Sequence, residues 1–363
     1  MHPLPLIALL AAVGLSAGAA PPPAPLTTYD GKHDISTINL TVVYYVPRDR
    51  TPLPDWRARV DYFVKRIDAF HTRELDGRAR LKITVHPDPL VTEKDAADLR
   101  RGDGDFTFFS TMDDVKTRLK WKPDRATGYP ILLVLSDINW RELDDFRRER
   151  VVDGKPRFEG SLGPDGRHFP GAESGGARAT YLRDPGYGMG LVSGDGWRVP
   201  YSGSDCVVYH EGIGHSIGLP HPTPIDDSVM GTGQYKFWIN QSYMTGKQKR
   251  KLGWSPPPTT PDRSTDLFTV FTAIPAPPVP KPGEAVGLDL AWPTGAKVKT
   301  LVVRVQTELF GPWVTLPAAP AESRPRRALL GTFDRPTPVS YRVDAMLEDG
   351  QTAELWGYFQ VKK

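Results

Sequence analysis

Three histidines and one glutamate fall within twelve residues, in the run Tyr209-His210-Glu211-Gly212-Ile213-Gly214-His215-Ser216-Ile217-Gly218-Leu219-Pro220-His221. These are the residue types of a catalytic zinc site. Neutral imidazoles hold the ion, one coordination position stays open for water, and a nearby carboxylate takes that water's proton. His210, His215 and His221 are the candidate ligands, and Glu211 is the candidate general base. The first spacing is one residue too long for a regular helix. His210 and His215 are five apart, and a helix turning about 100° per residue leaves their rings about 140° apart. A π-bulge absorbs one extra residue, and Gly212 and Gly214 ease such a distortion. Three readings follow. In the first, the three histidines bind the metal and Glu211 is the base. In the second, the helix is regular, Glu211 and His215 ligate with His221, and the base comes from elsewhere. In the third, the metal site has decayed and the protein only binds.

The second half of the run is regular in its spacing. His215, Gly218 and His221 read H-x-x-G-x-x-H. Gly218 suits the point where the chain leaves a helix through a left-handed conformation, and Pro220 stops the helix resuming. Ser228-Val229-Met230-Gly231 follows. From Tyr209 to Met230 the chain resembles the metzincin zinc peptidases, which carry H-E-x-x-H-x-x-G-x-x-H and a Met-turn. Its own motif, H-E-x-x-x-H-x-x-G-x-x-H, is one residue longer. Over the six residues His210 to His215 it is similar to dipeptidyl peptidase III, also a zinc enzyme. The metzincin resemblance implies a Zn2+ cofactor, with Met230 under the metal and not ligating it. It implies an S1′ wall from Met230 to Tyr243, and a Tyr, either Tyr235 or Tyr243, that assists the oxyanion. It also implies an edge strand at Met189 to Val192 that takes substrate as a further strand.

The elements that must position these residues are readable around them. Ile38 to Val46, Arg80 to His86 and the apolar run Tyr129 to Ser136 read as strands. Trp56, Val60, Phe63, Ile67 and Phe70 lie at helical spacing and mark an amphipathic helix. Thr111 to Trp121 reads as a short helix, and Arg141 to Gly176 as a long loop. Ala177 to Leu182 and Gly188 to Ser193 read as short strands. The active helix is expected over Cys206 to Ile217, capped from Ser202 to Asp205, and a later helix over Gln241 to Leu252. The apolar segment of residues 1–20 reads as a secretory signal peptide and 21–36 as a proline-rich spacer. The catalytic domain spans 37–254 and a stiff linker 255–263. Seven alternating segments from Leu267 to Val361, with a hairpin signal at Glu348-Asp349-Gly350, then read as strands of a β-sandwich at 264–363. The fold class is therefore α/β (α+β): a metzincin-like zinc-peptidase domain with a C-terminal immunoglobulin- or fibronectin-like sandwich.

Composition narrows the partners. The net charge is +3 over 363 residues, without a basic cluster interleaved with aromatics, so nucleic acid is not implied. Beyond the signal no stretch is long and apolar enough for a membrane span. Cys206 is the single cysteine, so no intrachain disulfide forms. It lies one turn before His210 and is either a small buried residue or a fourth ligand. The expected protein is a secreted zinc peptidase acting on a protein or peptide. Its rivals are a secreted adhesion protein with a structural or decayed metal site, and a zinc hydrolase of a non-peptide amide or ester. The C-terminal domain is expected to bind a surface or glycan, or to pack on the catalytic domain.

Overall fold

The computed structural model describes residues 25–162, 168–169, 176–236, 238–317 and 324–363. The expected signal segment and the start of the spacer lie outside these residues. The fold is mixed α/β. A six-stranded sheet is built from β1 (Thr37–Val46), β2 (Arg80–Val85), β3 (Leu90–Val91), β4 (Tyr129–Ser136), β9 (Ala177–Leu182) and β10 (Tyr187–Val192). Its order is β2-β1-β4-β10-β9, with β3 also on β1. All neighbours are parallel except β9, which runs antiparallel to β10. Between β4 and β9 lie two short pairs, β5–β6 (Glu149–Val152, Lys155–Phe158) and β7–β8 (Ser161–Leu162, His168–Phe169). The expected long loop thus contains strands of its own.

Alternation along β1 divides its side chains between two cores. Leu40, Val42 and Tyr44 face α1 (Trp56–Glu74) together with Val60, Phe63, Ile67 and Phe70. Val43 and Tyr45 face α3 (Gly104–Leu119) with Phe108, Met112 and Val115. Every residue of β4 is buried. A short α2 (Ala96–Leu99) precedes α3. α3 begins seven residues earlier than Thr111, because Asp103 caps it by accepting from the Phe106 N–H at 2.9 Å. On the α1 side of the sheet, α4 (Gly194–Trp197) and α5 (Ser204–Tyr209) lead into the histidine run. The expected helix Gln241 to Leu252 is shorter: α6 covers Gly246–Lys251, started by a Thr245–Gln248 capping box.

After a segment without helix or strand, α7 (Leu267–Val270) precedes β11 (Thr272–Ala276). The first of the seven expected strands therefore opens as a helical turn, which Asp266 caps by accepting from the Thr269 N–H at 3.0 Å. The other six appear as β12 (Ala285–Ala291), β13 (Val298–Gln306), β14 (Val314–Thr315), β15 (Arg327–Thr332), β16 (Thr337–Leu347) and β17 (Thr352–Val361). They form sheets β11-β12-β15 and β14-β13-β16-β17 over a shared core. The two units exchange tryptophans. Trp238 is buried in the C-terminal core, and Trp356 of β17 in the core of α1 and β1. No helix among the described residues is long and apolar enough to cross a membrane.

Candidate metal centre

The helix that carries the histidines changes its winding twice. α5 ends at Tyr209, His210–Gly214 form one π-helical turn, and His215–Ile217 a 3-10 turn. Gly218, at φ 86°, then turns the chain away. The π turn absorbs the extra residue, so the regular-helix reading of the motif is corrected. The three imidazole Nε2 atoms face one another, His210 to His215 at 2.9 Å, His210 to His221 at 3.4 Å and His215 to His221 at 3.0 Å. Tetrahedral zinc with Zn–N of 2.0–2.1 Å needs N···N separations of about 3.3 Å.

Hydrogen bonds on the far side of the rings fix the tautomers. His210 Nδ1 lies 2.8 Å from the Val229 carbonyl, and His215 Nδ1 lies 2.7 Å from that of Leu219. A carbonyl only accepts, so both Nδ1 atoms carry the proton and both Nε2 atoms present lone pairs. Two lone pairs 2.9 Å apart repel unless a cation lies between them. Burial, with His215 next, pushes the His210 pKa down to about 3. Burial also lowers that of His215. Both imidazoles are therefore neutral, the form that ligates. Among the described residues, these three histidines are the one group of His, Cys, Asp or Glu side chains whose ligand atoms all lie within 4.8 Å of one another. Neither Glu211 nor the buried thiol of Cys206 belongs to it.

The turn is seated by close packing on both sides. A Cβ on Gly214 would lie 2.2 Å from the Met230 Sδ, so the methionine packs directly under the π turn. On the sheet side, a Cβ on Gly190 would lie 2.5 Å from the Glu211 carbonyl oxygen. Gly188 and Gly190 thus let the turn sit against β10. Met189 to Val192, expected at a substrate-binding edge, instead lie inside the sheet between β4 and β9. The edge strand is β9, and no described strand pairs with its outer side. The Ser193 N–H donates to the Gly176 carbonyl at 2.8 Å, which sets the antiparallel alternation. The backbone groups of Ala177, Ala179 and Tyr181 therefore point outward.

His210, His221 and Glu211 open onto a cavity of about 650 Å³, also lined by Tyr201, Val207, Gln234 and Tyr235. Glu211 is 9% exposed, and its Oε2 has no hydrogen-bond partner among the described residues. Burial raises its pKa to about 8, against the opposing charge of Arg178. Arg178 reaches from β9 to Asp105 and lies against Phe108 and Phe109, 5.6 and 5.7 Å from their ring centres. Tyr235 is therefore in the cavity wall. Tyr243 is outside the lining, where its carbonyl accepts from the Val229 N–H at 2.9 Å. Sequence reading missed Arg178, Tyr201 and Gln234, because an Arg on an edge strand or a Gln in a loop reads as solvated.

No protein-family profile matches the chain, and no curated protein does either. Two solved structures from Akkermansia muciniphila are similar in extent. Wild-type OgpA is 14% identical with a TM-score of 0.36, covering 96% of this chain and 97% of its own. Catalytically inactive OgpA, in complex with an O-glycopeptide substrate (glycodrosocin), is 13% identical with a TM-score of 0.33 and the same coverage.

Proposed function

We propose that the protein is a secreted zinc-dependent metallopeptidase with a metzincin-like catalytic domain and a C-terminal immunoglobulin- or fibronectin-like sandwich. One observation carries the reading: three imidazole Nε2 atoms converge through a π turn beside a buried carboxylate whose Oε2 has no hydrogen-bond partner among the described residues. The residues present fit zinc, held by His210, His215 and His221. When bound, the ion supplies the Lewis-acid charge that acidifies a water and polarises a scissile carbonyl. Glu211 accepts the proton of the attacking water and returns it to the leaving amine. Its desolvated setting raises its proton affinity, which favours the first of these steps. The outward backbone of β9 pairs with an extended peptide and aligns it over Glu211. Tyr235, in the cavity wall, donates to the developing oxyanion. Gln234 and Val207 shape the pocket for the residue after the cleaved bond.

The test is metal analysis of the purified chain, followed by incubation with a peptide library and mass spectrometry of the products. Stoichiometric zinc, cleavage blocked by a chelator, and loss of cleavage in Glu211→Gln with zinc retained support the reading. Because the OgpA complex holds an O-glycopeptide, the library includes plain and O-glycosylated forms of the same sequences. Bound zinc without cleavage of either form favours the binding-protein alternative. Cleavage of only non-peptide amides or esters favours the other hydrolase.

A further inference from the structure

The cavity wall and the C-terminal unit are joined by one short stretch of chain. Gln234 and Tyr235 line the cavity, while Trp238 is 1% exposed in the C-terminal core beside Leu267 and Phe271. Within Gly231 to Lys236 the backbone N–H groups bond close by: Gly231 and Gly233 to the Ser228 carbonyl at 2.9 and 3.1 Å, Thr232 to that of Asp226 at 2.8 Å, and Lys236 to that of Gly233 at 3.1 Å. The strong attachments come just after. The Trp238 indole donates to the Trp356 carbonyl at 2.9 Å, and Asn240 Nδ2 donates to the Phe271 carbonyl at 3.0 Å. Ile239 N–H donates to Asp205 Oδ1 at 3.0 Å, which ties the same stretch to the start of α5. Arg66 bonds both Asp205 and Asn240.

The C-terminal unit reaches the cavity from a second side. The Tyr358 hydroxyl donates to the Phe146 carbonyl. Arg148, two residues on, lies between the rings of Tyr358 and Tyr201, 5.7 and 5.3 Å from their centres. Tyr201 lines the cavity.

We propose that the C-terminal unit builds the substrate pocket beside the metal centre, with Trp238 as the positioning residue that fixes the Gln234–Tyr235 wall. The unit then acts on residue selection after the cleaved bond. Only this last clause rests on the peptidase reading. The backbone bonds of the wall all stay within residues 226–236, while the indole just after it is fixed in the core of the second unit. A wall tied to that unit through one anchor loosens when the anchor is removed.

The experiment is amide hydrogen exchange on the full zinc-loaded chain, for wild type, Trp238→Phe and Trp238→Ala. The alanine variant is expected to exchange the amides of 231–236 at least tenfold faster. Those of β1, β4 and His210 to Ile217 stay as in wild type, and zinc stoichiometry is kept. Trp238→Phe, which refills most of the hole, is expected to restore most of the protection. Unchanged exchange at 231–236, or faster exchange spread over the whole chain, overturns the proposal. Should Trp238→Ala fail to fold, Trp238→Leu keeps an apolar side chain in the C-terminal core, removes the indole bond to the Trp356 carbonyl and reads the same amides: faster exchange at 231–236 supports the proposal, and exchange as in wild type overturns it. In the activity arm, kcat/KM of Trp238→Ala is expected to lose its discrimination among residues after the cleaved bond. Preference before that bond is kept. If the wild-type chain cleaves nothing, the functional reading fails, and the exchange data still decide whether the C-terminal unit holds the wall.

Discussion

His210 and His215 take their orientation from carbonyls 19 and 4 residues away, at Val229 and Leu219. The opposite wall of the same cavity is held from much further off, Trp238 by a carbonyl of the second unit 118 residues away and Asn240 by Arg66, 174 residues away. The metal-facing side thus stores its geometry in one contiguous run, Tyr209 to Met230. The substrate-facing side borrows its geometry from the second unit. Ligation needs three atoms placed to tenths of an ångström, and a short loop with carbonyl braces supplies that. A pocket wall needs only a stable surface, which any large buried anchor can provide.

The sharpest division of the two sides comes from Glu211→Gln. It is expected to lower kcat/KM by about 10²–10⁴-fold, the range for removing a general base, with zinc stoichiometry unchanged. Loss of zinc would instead make Glu211 a ligand and break the locally held side of the comparison. Next in size is Arg66→Met, which leaves Asp205 buried without its cation at the junction of wall and helix. The expected loss is about 3–5 kcal/mol of stability in urea unfolding. The double variant with Asp205→Asn should recover part of it. If Arg66→Met changes stability by less than about 1 kcal/mol, the remote bracing is weaker than argued.

A pH dependence separates packing from ligation. His71 of α1 is fully buried with Nδ1 3.0 Å from the Tyr209 hydroxyl, and burial lowers its pKa from 6.5 to about 4. Between those values the unfolded chain binds the proton and the folded chain does not. Stability is therefore full above about pH 6.5 and falls as pH drops toward 4, by about 3 kcal/mol. His71→Leu should flatten that fall in urea midpoints measured across the range, while leaving zinc content at pH 7 untouched. The smallest effect belongs to Tyr235→Phe, expected to lower kcat by up to about tenfold, the worth of one neutral hydrogen bond. Equal kcat for the variant would leave Tyr235 as wall alone.

What the sequence disclosed follows the same division. The spacing of His210 and His215 already offered a distorted turn as one reading beside a regular helix, and Gly218 marked where the helix ends. The buried run of β4 and the apolar stripe of α1 were legible because one is apolar without a break and the other repeats at helical spacing. The edge strand was not, since Gly188 to Val192 reads as a strand whether inside or at the rim, and only its pairing decides. The start of α3 was hidden because Phe106 and Phe109 stay exposed and blur the stripe. Nothing near Trp238 announces a partner at Trp356, because the pair meets only in the folded chain.

The exchanged tryptophans also have a genetic reading. A chain terminated anywhere before Trp356 loses β17 and with it a side chain from the N-terminal core. Nonsense alleles late in the gene should then be as severe as those upstream of His210, and a shuffled C-terminal module would have to bring a tryptophan of its own.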